Sequence, residues 1–276
     1  MPVESDAFYD RLKRICSTLP GNRVHLAAGN RDITIFETPL MGVSGPDDPI
    51  YDVFKKPEVI GASWMSPKEW LPAARSVVSF FFPFTEEVRK AERESEEEGT
   101  TEEWLYARIE GQAFIEAAMA ALAQELQGEG IANCVPSLEP RFGTEAVIWE
   151  TEGGQDLHVE SRWSERHAAY ASGLGTFALT RALITERGCA GRFASILTDL
   201  PLPVTPRTYD SVYGNCIRCG ACVARCPVNA VSLGYGKNNL VCRGRINETR
   251  KRYDPRYGCG KCQTRVPCES RNPRVS

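Results

Sequence analysis

The most apolar stretch of the chain predicts a buried strand. Residues 75–84 read RSVVSFFFPF, a run rich in valine and phenylalanine. Pro83 is expected to end this strand, because proline has no amide hydrogen to donate to a sheet. Just before it, residues 66–69 (SPKE) form a capping box with proline at the first helical position, which predicts that a short helix begins there.

Apolar residues recur at helical spacing over residues 102–127, which predicts a long helix with a core-packing face. Gly128 and Gly130 are expected to end it. The charged run before it, residues 86–98, predicts a solvated helix face or a mobile loop. The apolar stripe of the long helix consists of Trp104, Leu105, Ile109, Phe114, Ile115, Met119, Leu122 and Leu126.

A second helix and two further strands are predicted beyond residue 160. Ser164 can cap a helix that runs to the glycines at residues 173–175. Residues 182–185 and 192–200 have strand patterns and are joined by a turn.

A proline-rich segment divides the chain. Residues 200–206 read LPLPVTP, which forbids a helix and favours extended backbone. We therefore predict an α+β domain over residues 1–205, followed by a smaller domain over residues 206–276.

Composition and charge narrow the class of protein. The 276 residues are 42% hydrophobic and 25% charged, which excludes a disordered chain or a coiled-coil rod. The net charge of −3 provides no global positive field for nucleic acid. The N-terminal residues lack the apolar stretch of a secretory signal, and the longest apolar run is too short to cross a membrane. We therefore expect a cytoplasmic protein with no membrane partner, whose thiols stay reduced.

The cysteines are concentrated near the C-terminal end, where eight of the eleven lie between Cys216 and Cys268. The first four form the pattern C-x2-C-x2-C-x3-C-P over residues 216–227, which is the bacterial ferredoxin run. Two-residue gaps let one tight loop place three thiolates around a cubane cluster, while the fourth cysteine turns away to ligate another cluster. The sequence therefore predicts two 4Fe–4S clusters.

Four downstream cysteines complete the two predicted ligand sets. The first cluster takes Cys216, Cys219, Cys222 and Cys268, and the second takes Cys226, Cys242, Cys259 and Cys262. Four-sulfur zinc sites are an alternative, because they also use C-x2-C pairs. Disulfides fit less well in a reducing compartment. Cys16, Cys134 and Cys189 are isolated in the sequence and are predicted to be small buried or surface residues.

A basic stretch lies among the last cluster cysteines. It is either a solvated loop that balances the anionic clusters or a docking patch for an acidic electron donor or an anionic substrate. Its members are Arg243, Arg245, Arg250, Lys251, Arg252 and Arg256.

Several segments resemble a known family. Residues 163–166 (WSER), 171–175 (ASGLG) and 192–200 (RFASILTDL), together with the two-cluster tail, are similar to the epoxyqueuosine reductases and their relatives, the reductive dehalogenases. The resemblance implies a nitroreductase-like N-terminal α+β domain that holds cobalamin base-off, and a small ferredoxin-like domain whose two clusters feed electrons to cobalt. It places the turn formed by Gly173, Leu174, Gly175 and Thr176 against the corrin. The alternative for these glycines is a helix C-cap and turn.

The resemblance also identifies a candidate acid and two departures. The family's catalytic aspartate lies fourteen residues before the Gly-Leu-Gly turn, which here is Val159, and the adjacent Glu160 is the candidate replacement. Five residues separate Cys262 from Cys268, where epoxyqueuosine reductases have three. The chain ends eight residues after Cys268, without the helical-repeat tail that grips tRNA in longer relatives, so nucleic acid is not an expected partner.

The combined prediction is a cytoplasmic iron–sulfur oxidoreductase that passes electrons from two clusters to corrin-bound cobalt, which reduces a small-molecule substrate. A reduced ferredoxin or flavodoxin is the expected electron donor. The first alternative is an electron-transfer protein that serves a partner redox protein, for example to reactivate a corrinoid enzyme; the missing aspartate favours it. Further alternatives are an epoxyqueuosine reductase that acts on tRNA and a flavin in place of cobalamin.

Overall fold

The computed structural model describes residues 2–96 and 99–275 as a mixed helix and sheet fold. The helices are α1 (Pro2–Thr18), α2 (Ile50–Phe54), α3 (Pro67–Trp70), α4 (Glu86–Glu94), α5 (Glu102–Gly128), α6 (Glu165–Ala171), α7 (Ala221–Ala224) and α8 (Asn239–Tyr253), with a 3-10 turn at Pro136–Leu138. The strands are β1 (Arg23–Leu26), β2 (Arg31–Thr34), β3 (Leu40–Ser44), β4 (Ser76–Pro83), β5 (Asn133–Cys134), β6 (Thr144–Thr151), β7 (Gly154–Ser161), β8 (Gly175–Phe177), β9 (Leu183–Thr185), β10 (Gly191–Thr198), β11 (Val231–Ser232) and β12 (Gly236–Lys237). Within the described ranges, no helix has the length and apolar character needed to cross a membrane.

The central sheet contains four antiparallel strands in the order β3-β4-β10-β5. The predicted apolar strand is β4, and all eight of its residues are buried. Because successive side chains of a strand point to opposite faces, Phe80 and Phe82 contribute to one core cluster, whereas Val77 contributes to another. The sheet therefore separates two hydrophobic layers.

The long helix α5 covers the first face of the sheet, together with α1. The prediction of its apolar stripe is confirmed, since seven of the eight residues are buried and Ile109 is half-buried. Gly111 lets α5 pack closely against Phe36, because a Cβ at residue 111 would lie only 2.9 Å from the ring of Phe36.

An aromatic cluster on the second face positions α6. Trp64 and Trp163 stack with ring centroids 4.9 Å apart, and Tyr51 stacks on both. Ala168 and Ala171 of α6 pack into the same cluster. Trp163 and the first turn of α6 are thereby fixed beside β10.

Most locally specified elements are confirmed, and one prediction is wrong in part. The capping box at residues 66–69 is present and opens α3. The helix α6 follows Ser164 as predicted, but the hydroxyl of Ser164 lies 2.8 Å from Nδ1 of His167 and forms no capping hydrogen bond. The charged run forms α4, while its residues 97 and 98 lie outside the described residues. The prediction of a wholly solvated helix face is wrong, because the side chain of Glu92 is fully buried. The reason is an ion pair with the cysteine-rich segment, which the local pattern cannot reveal.

The predicted extended connector runs along the edge of the sheet. Residues 200–206 contain no helix or strand. The amide of Thr205 donates to the carbonyl oxygen of Val43 at 2.9 Å, and the amide of Val43 donates to Oγ1 of Thr205 at 3.0 Å. Val43 belongs to β3, an outer strand of the central sheet, so the connector covers this edge.

A hairpin of β6 and β7 contacts the start of α8. Asp156 of β7 accepts a hydrogen bond from the backbone amide of Asn239 at 2.5 Å. Its other carboxylate oxygen accepts from Arg181 at 2.6 Å. A carboxylate at a helix N-terminus is stabilised by the unpaired amides there, so Asp156 ties the hairpin to α8.

Candidate functional site

The ferredoxin run forms a tight loop around the short helix α7. Gly220 precedes this helix with a φ of 78°, a left-handed conformation that favours glycine. Cys219 is exposed, whereas Cys216, Cys222 and Cys226 are partly buried. The sulfur of Cys226 accepts a hydrogen bond from the amide of Ala230 at 3.2 Å.

The two predicted ligand sets line two different cavities. We call Cys216, Cys219, Cys222 and Cys268 the first thiol group, and Cys226, Cys242, Cys259 and Cys262 the second thiol group. All four members of the first group line one small cavity, and Cys262 borders it as well. All four members of the second group line a much larger cavity of about 730 Å³. Each predicted set thus lines a common cavity, and its ligation of a cluster stays a prediction.

Burial keeps several of these thiols protonated while no metal is bound. It raises the pKa of Cys222 to about 11 and that of Cys262 to about 12. Metal ligation requires the thiolate, so a metal that binds here would have to displace the protons. Among the residues that the structure describes, no three histidine, cysteine, aspartate or glutamate side chains are grouped closely enough for one metal ion. A cubane instead spreads its thiolates around four irons.

The loop that carries two members of the second thiol group is anchored from α4. Lys261 lies between Cys259 and Cys262, and its Nζ is 3.9 Å from Oε1 of Glu92. The same oxygen accepts the amide hydrogen of Gly260 at 3.0 Å. A Cβ on Gly260 would overlap the ring of Trp104, so glycine is required for this close approach to α5.

The large cavity lies between α5, α6, β10 and the second thiol group. Its volume falls in the range of ligand and cofactor sites, about 300–1,000 Å³, and includes the space among the four thiols. Two acidic side chains, Glu116 and Glu165, line it against six basic ones, so the cavity favours anions. The basic residues are Arg108, Arg166, Arg192, Lys237, Arg245 and Lys261.

Glu165 is a titratable group in the cavity that the sequence analysis did not select. Ser195 donates a hydrogen bond to its Oε2 at 2.5 Å, and the indole of Trp163 donates to Ser195 at 2.9 Å. Burial raises the pKa of Glu165 to about 7, although the bond from Ser195 acts in the opposite direction. Its carboxyl group can therefore hold or release a proton near neutral pH. The only sequence feature that pointed to Glu165 was its position in residues 163–166 (WSER), one of the segments similar to the epoxyqueuosine reductases.

The predicted acid Glu160 lies beside the cavity wall. The cavity is lined by its neighbours Val159 and Ser161. The carboxyl group of Glu160 lies against Gly61 instead. This alternation follows from the strand geometry of β7.

The predicted corrin-facing turn is packed within the protein. A Cβ on Gly175 would overlap the backbone of Ile184, and one on Gly173 would come within 3.0 Å of Thr205. Thr176 is fully buried and accepts the amide hydrogen of Asn215 at 2.7 Å. None of the described residues 173–176 lines the large cavity. Close backbone packing accounts for Gly175, whereas Gly173 follows the C-cap of α6 with a φ of 76°, as the alternative of a helix C-cap and turn predicts.

Cys189 is buried, as predicted for a small apolar residue, but it is not isolated in space. Its sulfur lies 3.9 Å from that of Cys268, and the residue also lines the large cavity. It therefore occupies the wall between the two thiol groups.

Comparison with known proteins supports an iron–sulfur segment. A family model described as a 4Fe-4S binding domain matches residues 212–232, which include the four cysteines of the ferredoxin run. No curated protein matches the chain by sequence.

Solved structures resemble this chain. One is an epoxyqueuosine reductase with an epoxyqueuosine-modified tRNA-Tyr stem loop; it has a TM-score of 0.52 and 18% identity, and the match covers 96% of this chain and 65% of that one. Epoxyqueuosine reductase from Streptococcus thermophilus matches with a TM-score of 0.49 and 15% identity over 83% of this chain and 62% of that one. A reductive dehalogenase described as B12-dependent matches with a TM-score of 0.49 and 17% identity over 86% and 31%. The chain thus spans less than two thirds of each of these proteins. The match with a TM-score of 0.52 confirms the resemblance seen in the sequence for the fold.

Proposed function

We propose that this chain is an iron–sulfur reductase in which two 4Fe–4S clusters deliver electrons to cobalamin in the large cavity, where a small molecule is reduced. One observation carries this proposal: the second thiol group lines the large cavity. A cluster on those four thiols would border the space in which a cofactor binds. An electron would then reach the cofactor without crossing an intervening protein layer.

The donor sets fit two cubanes. Each thiol group provides the four cysteines that one cluster requires. Arg245 and Lys261 lie near the second thiol group, where positive charge offsets the negative charge of a cluster. The match of residues 212–232 to a 4Fe-4S binding domain supports this assignment.

The cavity also suits a large cofactor with an anionic group. It is spacious and predominantly basic, which suits the phosphate group of cobalamin. When bound, cobalamin supplies a cobalt centre that takes up electrons and transfers them to a substrate. This part of the proposal rests on the cavity and on the sequence resemblance. It does not rest on residues 173–176, because these residues are packed within the protein.

The residues of the chain would supply a proton. Reduction of most organic substrates consumes protons, and a general acid works best when its pKa lies near the operating pH. Glu165 meets this requirement, with a pKa raised to about 7 by burial. Ser195 and Trp163 hold its carboxyl group in place on the cavity wall.

The test is anaerobic reconstitution with iron and sulfide, followed by incubation with cobalamin and, in parallel, with FMN. After desalting, absorption and EPR spectra are recorded and iron is counted. We expect signals from two cubanes and a retained base-off cobalt signal. Two cubanes with no retained corrinoid would exclude cobalamin as the cofactor. Retention of FMN alone would identify a flavin enzyme.

An electron-transfer protein is the second candidate. The observation that favours it is Val159, an apolar residue on the cavity wall at the position where the resemblance places a catalytic aspartate. This candidate predicts two cubanes, no retained corrinoid and rapid reoxidation by a separate corrinoid protein.

A tRNA substrate is the third candidate, because the fold match to an epoxyqueuosine reductase covers 96% of the chain. It predicts that the chain restores queuosine in a strain that lacks epoxyqueuosine reductase. Failure to restore it, with the protein present and loaded with clusters, would exclude this candidate.

A further inference from the structure

We propose that Arg108 and Arg192 form a subsite in the large cavity for an anionic group, a carboxylate or a phosphate, of the molecule that is reduced there. The reduction rests on the proposed function, but the binding of the anion does not. The subsite narrows the substrate class to small anionic molecules.

Three arginines from different elements line the cavity, and the charges of two of them act on the third, Arg192. Arg108 comes from α5, Arg192 from the start of β10 and Arg166 from the first turn of α6. Nε of Arg192 donates to the amide oxygen of Gln112 at 2.8 Å. The guanidinium of Arg108 lies 4.8 Å from the ring centre of Tyr257, and its Nε is buried without a hydrogen-bond partner.

These arginines lack a direct carboxylate partner. Over residues 2–96 and 99–275, no ion pair within 4.0 Å involves Arg108, Arg166 or Arg192. Glu116 is linked to Arg192 through Gln112, whose Nε2 donates to Glu116 at 3.0 Å. Its charge acts on Arg192 from beyond the 4.0 Å of an ion pair. The other acidic residue of the cavity, Glu165, is engaged with Ser195.

Several comparable arginines elsewhere in the protein are paired with carboxylates. Arg89 lies 3.2 Å from both Glu37 and Glu86. Arg207 pairs with Asp48 at 2.5 Å, and Arg256 pairs with Glu110 at 2.5 Å. These arginines thus have the carboxylate partner that Arg108 and Arg192 lack.

A bound anion would offset the repulsion between the arginines of the cavity. Burial, followed by the positive charge of Arg108, lowers the pKa of Arg192 to about 10, and Arg166 contributes in the same direction. Arg192 remains charged at neutral pH. Like charges held together away from water are unfavourable unless an opposite charge joins them.

Other cations can offset the charge of a cluster at the second thiol group. Lys261 is flanked by Cys259 and Cys262, and the charge of Lys237 acts on Cys262. Arg245 follows Cys242 on α8. These residues can offset the charge of a cluster, which leaves Arg108 and Arg192 for another anion.

The test is anaerobic calorimetric titration of the reconstituted protein with sodium benzoate and sodium phosphate, with benzamide as an uncharged probe. The variants are Arg108→Gln and Arg192→Gln. Arg75→Gln is the matched control, because it removes the same charge from an exposed position outside the cavity. Iron content and circular dichroism verify that each variant is folded and loaded.

We expect saturable binding of at least one anion, with affinity lowered about 10- to 100-fold in each cavity variant, as for loss of a charged hydrogen bond. Arg75→Gln should bind as the wild type does, and benzamide should not bind. Absence of saturable anion binding, or equal affinity in all four proteins, would overturn the subsite.

A second arm distinguishes the substrate from the cofactor. The same proteins are desalted after incubation with cobalamin or with cobinamide, which lacks the nucleotide phosphate. If the variants lose cobalamin but keep cobinamide, the anion is the cofactor phosphate and the substrate assignment is overturned. Equal corrinoid retention in all proteins, with weakened anion binding, supports the substrate assignment. If the protein binds anions but retains no corrinoid, the use of cobalamin in the proposed function is excluded, and the anion subsite still stands.

Discussion

Glu92 and Lys261 form an ion pair in the interior of the protein, with Oε1 and Nζ 3.9 Å apart and both side chains at most 1% exposed. Glu92 belongs to α4, whereas Lys261 lies in the loop that carries Cys259 and Cys262. The carboxylate also accepts the amide hydrogens of Gly260 and Thr101, each at 3.0 Å. The loop of the second thiol group is thus held by the part of the chain that precedes the connector.

Removing one charge of this pair should destabilise the protein strongly. In Lys261→Met, the carboxylate of Glu92 stays buried without its counter-charge, and the free energy of unfolding should fall by about 3–5 kcal/mol. Urea unfolding measures this change. The control is Lys55→Met, because Lys55 pairs with Glu69 at the surface and an exposed pair contributes less than about 1 kcal/mol. Equally small losses of unfolding free energy in both variants would show that the buried pair contributes no more than the surface pair.

The contact between Asp156 and α8 should control iron retention at the second thiol group. Asp156→Ala removes the hydrogen bonds to Asn239 and Arg181 and should lower the free energy of unfolding by about 1–3 kcal/mol. Because α8 carries Cys242, iron should be lost faster to a chelator. Glu145→Gln, at an exposed position of the same hairpin, serves as the control. Unchanged iron release in Asp156→Ala would contradict this role.

Glu165 should make stability depend on pH in a defined direction. Its pKa is raised in the folded state from 4.5 to about 7, so the folded state binds more protons than the unfolded state between these values. Stability should therefore fall as the pH rises from 5.5 to 8, by at most about 2 kcal/mol for this group. Urea unfolding of the wild type and Glu165→Gln at both pH values tests this. An equal pH dependence in the two proteins would contradict the shifted pKa.

Single cysteine substitutions should separate the two proposed clusters. Cys219→Ala should lower iron from about eight to about four atoms per chain, because only the first thiol group loses a ligand. Cys259→Ala should have the same effect through the second thiol group. Cys16→Ala is the control and should leave the iron content unchanged. A fall to zero in Cys219→Ala would argue against independent sites.

Features encoded by local pattern could be predicted from the sequence. The apolar run of β4, the capping box of α3 and the helical stripe of α5 each depend on neighbouring residues alone. The same applies to the ferredoxin run, whose cysteine spacing determines which thiols share one loop. The structure places the predicted ligand sets along two separate cavities, although their ligation remains a prediction.

Features that depend on distant parts of the chain could not be predicted. Glu92 belongs to a charged run, and only its pairing with Lys261 explains its burial. The choice between Glu160 and Glu165 depends on which side of β7 faces the cavity and on the contact of α6 with Ser195. Gly175 owes its place to the backbone of Ile184, since β8 pairs with β9.

The connector also protects the central sheet. An outer strand with free amide and carbonyl groups can recruit a strand from another molecule, which leads to aggregation. Here Thr205 engages both backbone groups of Val43 on β3, and the prolines around it offer no further amide hydrogens to an incoming strand. Residues 200–206 therefore also hinder β-pairing between β3 and a strand of another molecule.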